Sequence, residues 1–271
     1  MNDWAPLSGM SIKKISLESI QKIRQHIKAA LVLPESENRP PQKTSPDELD
    51  TMPEPDSLDA LGDLFKFAAP AEETVPTPNT AGRWFISVVN PAAALTRLPT
   101  LKLKPGIRFV CYLNRIQDGG VGAIYAVPEE MSTTAQLETA LFQSGDRQHP
   151  PQPQGSFMDF MDALDGDFSP ASFMIASILR RELQEMGSLG DQRNWSHHHL
   201  VDTIPPQVQW KWRTEPPQDL APKVLLLPDG RAAVEFFTCR VAAPVAIYRY
   251  VDQYPARSYT ARCGGQAIGT P

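Results

Sequence analysis

The sequence predicts an α+β protein whose main domain holds a largely antiparallel sheet of about six to seven strands, with three helices inserted between two groups of strands. Two groups of segments alternate apolar and polar residues with a period of two, which is typical of half-buried strands. Between these groups, apolar residues recur at helical spacing. In front of this domain, the sequence predicts an amphipathic helix followed by a disordered tether.

Composition divides the 271-residue chain into four parts. Residues 1–34 are basic, 35–82 are acidic and proline-rich, 83–260 are nearly neutral, and 261–271 are rich in glycine. The second part cannot bury enough apolar area to offset the entropy of ordering, so we predict a disordered linker there. We predict a globular domain over 83–260 and a frayed tail over 261–271. A nearly neutral domain has no strong field for nucleic acid, so no nucleic-acid partner is expected.

An amphipathic helix is predicted near the N-terminus. Ser16 is a suitable N-cap, and Pro34 ends the pattern. The apolar stripe of this helix consists of Ile20, Ile23, Ile27 and Leu31. So short a helix must bury its stripe to be stable, and three surfaces could receive it: its own domain, a groove on a partner protein, or an anionic membrane surface. We assign the four residues to partner binding.

A short amphipathic island, residues 57–67, interrupts the acidic linker. Its apolar residues share one helical face: Leu58, Leu61, Leu64 and Phe65. Acidic segments with such a face are common docking motifs, although amphipathic stretches also arise by chance. We include these residues among the candidate partner-binding positions.

The elements of the main domain follow from its periodicity. The predicted strands cover 84–89, 107–114, 121–127, 207–213, 223–227, 232–239 and 245–251. A glycine-rich turn at 117–120 indicates a hairpin. The three helices begin at a capping box at Thr133, at Ser156, and at Ser169, where Pro170 occupies the first helical position.

The only cluster of metal-ligand types lies between the third helix and the later strands. It contains His197, His199 and Asp202, with His198 between the two histidines. Neighbouring side chains on a strand or helix point apart, so these residues are weak candidates, and we predict neither a metal nor another cofactor. The chain also lacks the GxSxG, GxxxxGK[ST], GxGxxG and HExxH motifs, so we predict no catalytic residues and favour a non-enzymatic protein.

The expected location is the cytoplasm. The three cysteines show no paired spacing, which fits a reducing compartment. The N-terminus lacks the basic start and apolar run of a signal peptide, and no run of about 18 apolar residues occurs.

Three segments carry a family resemblance: 122–134, 157–185 and 243–255. They resemble a conserved cyanobacterial protein family of uncharacterised function, over about residues 83–260. The resemblance implies a photosynthetic bacterial cytoplasm, next to thylakoid membranes or phycobilisomes. It implies no catalytic residue.

Taken together, these patterns favour a non-enzymatic accessory or assembly protein that acts through protein–protein interaction, linked to the photosynthetic apparatus. One alternative is an enzyme or small-molecule-binding domain whose site is built from scattered residues. Another is a peripheral membrane protein that uses its N-terminal helix.

Overall fold

The computed structural model of the chain describes residues 10–39, 82–143, 147–206 and 208–271. In chain order, the first strands are β1 (Ser11–Lys14), β2 (Trp84–Ile86), β3 (Leu101–Leu103), β4 (Ile107–Ile116), β5 (Gly119–Pro128) and β6 (Leu164–Gly166). The later strands are β7 (His198–Val201), β8 (Lys211–Trp212), β9 (Lys223–Leu226), β10 (Ala232–Arg240), β11 (Ala246–Tyr254) and β12 (Arg262–Thr270). The α-helices are α1 (Leu17–Ala30), α2 (Glu35–Asn38), α3 (Thr134–Gln143) and α4 (Pro170–Glu185).

A seven-stranded antiparallel sheet dominates the structure, in the order β1-β9-β10-β11-β12-β8. The seventh strand, β7, pairs with the second half of β10, while β9 pairs with its first half. The first group of predicted strands forms a separate three-stranded sheet, β2-β4-β5, and β3 pairs with β6. The predicted α+β class with mostly antiparallel pairing is therefore confirmed, although the strands are divided among three sheets.

Helix α4 joins the two main sheets through its apolar surface. Ser169 caps it by accepting a hydrogen bond from the backbone N–H of Ser172 at 3.2 Å, and Pro170 fits the first turn, where no N–H donor is needed. The helix contacts α1, β5, β9 and β10. Its apolar residues are almost all buried, as its sequence indicated.

Helix α1 packs on the same core. Ile20 and Ile27 are 0% exposed, and Ile23 and Leu31 are half-buried against the same cluster. Of the three surfaces considered for this helix, the structure therefore shows its own domain. The assignment of this stripe to a partner interface is corrected, because Ile20 and Ile27 are fully buried in the core and Ile23 and Leu31 pack against it. In the segment before α1, β1 pairs with β9 and extends the large sheet.

The structure also corrects two boundaries. The predicted linker 35–82 begins with α2, in which Glu37 is buried and accepts hydrogen bonds from Ser87 Oγ and the Val88 N–H, both at 2.7 Å. The predicted frayed tail 261–271 contains β12, which is ordered by its ladder with β11. Residues 40–81, including the island at 57–67, lie outside the described residues.

Two local predictions fail for identifiable reasons. The helix predicted from Ser156 is only a 3₁₀ turn, Phe160–Ala163, because Asp159 binds the backbone N–H of Met161 at 3.0 Å and starts the turn late. The strand predicted over 207–213 is reduced to β8, since prolines at 205, 206, 216 and 217 flank it and cannot donate to a sheet ladder. In the part of the chain that the structure describes, no helix is long and apolar enough to cross a membrane.

Candidate functional site

The large sheet has two different faces, set by the alternation along β10 and β11. Phe236 and Tyr250 lie opposite each other and point toward α4, whereas Glu235 and Val251 face the other way. Because one face is fully occupied by helices, any large binding surface on this sheet must use the outer face.

Part of the outer face is covered by the segment between β7 and β9. The buried cluster there consists of Leu220, Phe237, Ile247 and Ile268, and Val201, Trp210 and Trp212 pack against it. The Trp210 indole also donates to the carbonyl of Pro205 at 2.9 Å. Trp210 and Trp212 therefore belong to the packing that covers half of the face.

The other part of the outer face is an open groove of about 1230 Å³, here named the sheet groove. Its floor consists of the outward side chains Lys223, Leu225, Ala233, Glu235, Phe237, Arg249, Val251 and Ile268. Its rim consists of residues 214–219, Gln253, Gln266, Met10 and the β1 residue Ile12. Ile12 lies at the rim of this groove and is 65% exposed. The sheet groove thus offers an apolar floor with amide and charged groups around it.

On the floor, two cationic side chains share one carboxylate. Glu235 accepts from Lys223 Nζ at 2.6 Å and from Arg249 Nε at 2.5 Å. At the rim, Lys14 Nζ lies 3.0 Å from the Asp219 carboxylate. The backbone N–H of Ala221 lowers the pKa of Asp219, and Lys14 lowers it further. A ligand of the sheet groove therefore meets fixed, paired charges and no strong net field.

A second cluster of titratable groups lies in the core between α1, α4 and the sheet. Arg24 Nε donates to Glu182 Oε1 at 2.5 Å, and the Trp195 indole donates to the same oxygen at 2.6 Å. The other guanidinium nitrogens of Arg24 donate to the carbonyls of His198 and Trp195. These side chains are buried and satisfy one another, so the cluster ties α1 to the domain.

His198 belongs to this buried cluster. It is 1% exposed, and its Nδ1 lies 2.8 Å from Thr238 Oγ1 and 3.4 Å from the Tyr250 hydroxyl. Burial lowers its pKa to about 4, and the nearby Arg240 and Arg24 guanidinium groups add to this effect. His198 is therefore a neutral core side chain at neutral pH.

The weak metal candidates do not come together around an ion. His198 points into the core from β7, its neighbour His199 is exposed, and Asp202 lies on the exposed turn after the strand. His197 ends the short 3₁₀ turn before β7. Across the described ranges, no group of three or more His, Cys, Asp or Glu side chains could hold a metal.

Comparisons of this chain with protein-family models, with curated proteins and with solved structures found no match. The interpretation of the sheet groove therefore rests on its geometry.

Sequence reasoning missed the sheet groove although it found the strands that build it. The alternation over 232–239 and 245–251 predicted which residues share a face. It could not show that the segment between β7 and β9 covers only half of that face. The predicted docking residues Leu58, Leu61, Leu64 and Phe65 lie outside the described residues, and their role stays a prediction.

Proposed function

We propose that this protein is a non-enzymatic accessory or assembly protein that binds an extended segment of a partner protein in the sheet groove. The observation that carries this proposal is the open half of the outer sheet face, with its apolar floor and amide-bearing rim. The predicted link to the photosynthetic apparatus rests on the family resemblance alone and stays a prediction.

The size of the groove supports a ligand larger than a metabolite. Its volume of about 1230 Å³ exceeds the range of about 300–1000 Å³ that is usual for small-molecule sites. It is also an open trough on a sheet rather than a deep cleft. A peptide in extended conformation would lie along such a trough with alternate side chains directed at the floor.

The chemistry of the groove supports a peptide of low net charge. The rim carries Gln218, Gln253 and Gln266, whose amides can both donate to and accept from a peptide backbone. The floor offers apolar contacts through Leu225 and Val251, while its charges are already paired. Apolar side chains directed inward and a backbone satisfied by rim amides would match this pattern.

The proposal can be tested by peptide display on the full-length protein, followed by binding isotherms for the selected peptides. Ala233→Arg would fill the centre of the sheet groove, and Val241→Arg is the matched control, because Val241 is exposed outside the groove lining. Equal melting temperatures would show that both variants fold.

The proposal predicts saturable binding to the wild type and to Val241→Arg, with a loss of about tenfold or more in affinity for Ala233→Arg. Peptides that bind all three proteins equally, or a failure to select any peptide, would contradict it.

A further inference from the structure

A second cavity lies at the tip of the β4–β5 hairpin, away from the sheet groove. Its volume is about 290 Å³. The residues that give it its chemistry are Arg39, Arg115, Gln117, Asp118 and Arg193. Three arginines and one acidic side chain therefore line a single small cavity.

Arg115 forms the buried end of this cavity. The side chain is 1% exposed, its Nε donates to the Glu37 carbonyl at 2.9 Å, and its Nη1 donates to the Gly187 carbonyl at 2.5 Å. Nη2 has no hydrogen-bond partner among the described residues. A buried donor on a charged group is costly to leave unpaired, so this nitrogen points to a missing acceptor.

The fold holds the Arg115 side chain in this place through a close backbone approach. A Cβ atom added at Gly120 would lie 2.2 Å from Arg115 Nη1 and 3.0 Å from the Gly187 carbonyl oxygen. Only glycine at this position leaves room for the guanidinium between β5 and the end of α4. The close approach of the β5 backbone at Gly120 thus helps to hold the Arg115 guanidinium in place.

The surrounding charges favour an anion. Burial lowers the pKa of Arg115, and the Glu37 carboxylate raises it. The Arg193 guanidinium also lowers this pKa, so its charge lies close enough to act on Arg115. The Glu37 carboxylate is engaged elsewhere, by Ser87 and the Val88 N–H. Arg39 is paired on its exposed side with Glu35, and Arg193 Nε donates to the Ser188 carbonyl at 3.3 Å. The side chains that line the cavity itself carry three positive charges and one negative charge, that of Asp118.

We propose that this cavity binds the phosphate group of a small molecule, with Arg115 Nη2 donating at its buried end and Arg193 at its mouth. The N–H groups of a guanidinium donate strong, charge-assisted hydrogen bonds to phosphate oxygens, and Arg residues are preferred side chains for such recognition. The cavity volume admits a phosphate group with a small organic substituent. This site is separate from the sheet groove, so the proposed function and this inference can fail independently.

The test is isothermal titration of the full-length protein with inorganic phosphate, with glycerol 3-phosphate and with succinate as a carboxylate comparator. Arg193→Gln removes the charge at the mouth without disturbing the core. Arg231→Gln is the matched control, because Arg231 is exposed and pairs only with the local Asp229 in the described structure. Arg115→Lys keeps a buried charge but loses the planar guanidinium with its Nη2 donor. The melting temperature of this variant reports whether it folds.

The inference predicts saturable binding of at least one phosphate compound to the wild type and to Arg231→Gln. Arg193→Gln should weaken that binding by about three- to tenfold, and added salt should weaken it for every protein. Tighter binding of inorganic phosphate would identify the free ion as the ligand, and tighter binding of glycerol 3-phosphate an organic phosphate. Either supports the inference.

Three results would overturn it: no saturable phosphate binding by the wild type, equal phosphate affinity for Arg193→Gln and Arg231→Gln, or tighter binding of succinate than of either phosphate compound. If Arg115→Lys does not fold, the comparison of Arg193→Gln with Arg231→Gln still decides the matter.

Discussion

Arg181 and Asp252 form a two-point ion pair inside the core. Arg181 Nη1 and Nη2 donate to the two carboxylate oxygens of Asp252 at 2.6 and 2.7 Å, and Asp252 is 0% exposed. The guanidinium also lies over the Tyr250 ring, 4.7 Å from its centroid. The pair links α4 to the centre of the large sheet, so its geometry fixes how helix and sheet meet.

Replacing Asp252 with Asn should therefore be strongly destabilising. The substitution leaves the Arg181 charge buried with no carboxylate, which typically costs about 3–5 kcal/mol in the free energy of unfolding. Urea unfolding of the wild type and the variant measures this loss. Asp229→Asn is the control, since its ion pair with Arg231 is exposed to solvent and should contribute far less to stability. Similar losses in unfolding free energy for both variants would show that the buried pair contributes no more to stability than the exposed pair.

The packing of α1 leads to a second prediction. Ile27→Ala removes a fully buried side chain from the main core, so we expect a loss of about 2–5 kcal/mol in unfolding free energy. Val32→Ala, just beyond the end of α1, changes an exposed side chain and should cost less than about 0.5 kcal/mol. Thermal and urea unfolding of both variants test this. A negligible effect of Ile27→Ala would mean that α1 is not part of the cooperative unit.

The sequence could predict local structure where the pattern and the packing agree. Ser169 and Pro170 begin α4 because capping and backbone geometry are local effects. By contrast, the burial of Arg181 depends on Asp252, 71 residues further on. Arg24 lies off the apolar stripe of α1 and is buried only because Glu182 receives it. Such pairings between distant residues leave no periodic signal in a single sequence.

The same limit applies to the candidate sites. The strands that form the floor of the sheet groove could be predicted, but the half-coverage by residues 201–220 could not. For the cavity at the tip of the β4–β5 hairpin, the glycine-rich turn was visible in the sequence as a hairpin signal. Its role in making room for Arg115 became visible only with the approach of Gly120 to that side chain.

His198 should make stability depend on pH. Its pKa is about 4 in the folded protein and near 6.5 in the unfolded chain, so the unfolded state binds more protons between these values. The folded state is therefore favoured above pH 6.5 and loses up to about 3 kcal/mol as the pH falls toward 4. Between pH 7 and 5 the expected loss from this group is about 2 kcal/mol.

Urea unfolding of the wild type and of His198→Gln at pH 7 and pH 5 isolates the contribution of His198 to the pH dependence of stability. Glutamine does not titrate, and the two proteins share all other titratable groups. The drop in stability should be smaller in His198→Gln. Equal drops in the two proteins would show that His198 is not responsible.

Close packing between the small sheet and the end of α4 gives a further prediction. A Cβ atom at Gly122 would lie 2.1 Å from the carbonyl oxygen of Met186, so Gly122→Ala must move a backbone segment. We expect a loss of about 2 kcal/mol or more. Gly264→Ala is the control, since its nearest contact would be an ordinary 3.4 Å, and it should leave the melting temperature almost unchanged. The reverse order of the two melting temperatures would contradict this packing.

Arg115 binds residues on both sides of the segment 40–81. Arg115 Nε donates to the carbonyl of Glu37, and the carbonyl of Arg115 accepts from the N–H of Gly82 at 2.7 Å. Replacing residues 40–81 with a short Gly/Ser linker should therefore keep the melting temperature within a few degrees or raise it, because a shorter loop costs less entropy to close. A large fall in melting temperature would show that this segment supports the fold. The same variant, tested in pull-downs, would report on the island at 57–67.

The pairing of β1 with β9 has a consequence for synthesis on the ribosome. Ser11 lies opposite Leu226, so β1 finds its neighbour only after about 200 more residues have been made. At about 5–20 residues per second, this interval lasts roughly 10–40 s. During that time the apolar stripe of α1 also remains uncovered until the α4 and sheet residues that pack on it have been made. Strand β1 and the apolar stripe of α1 are thus exposed to chaperones and proteases throughout this interval.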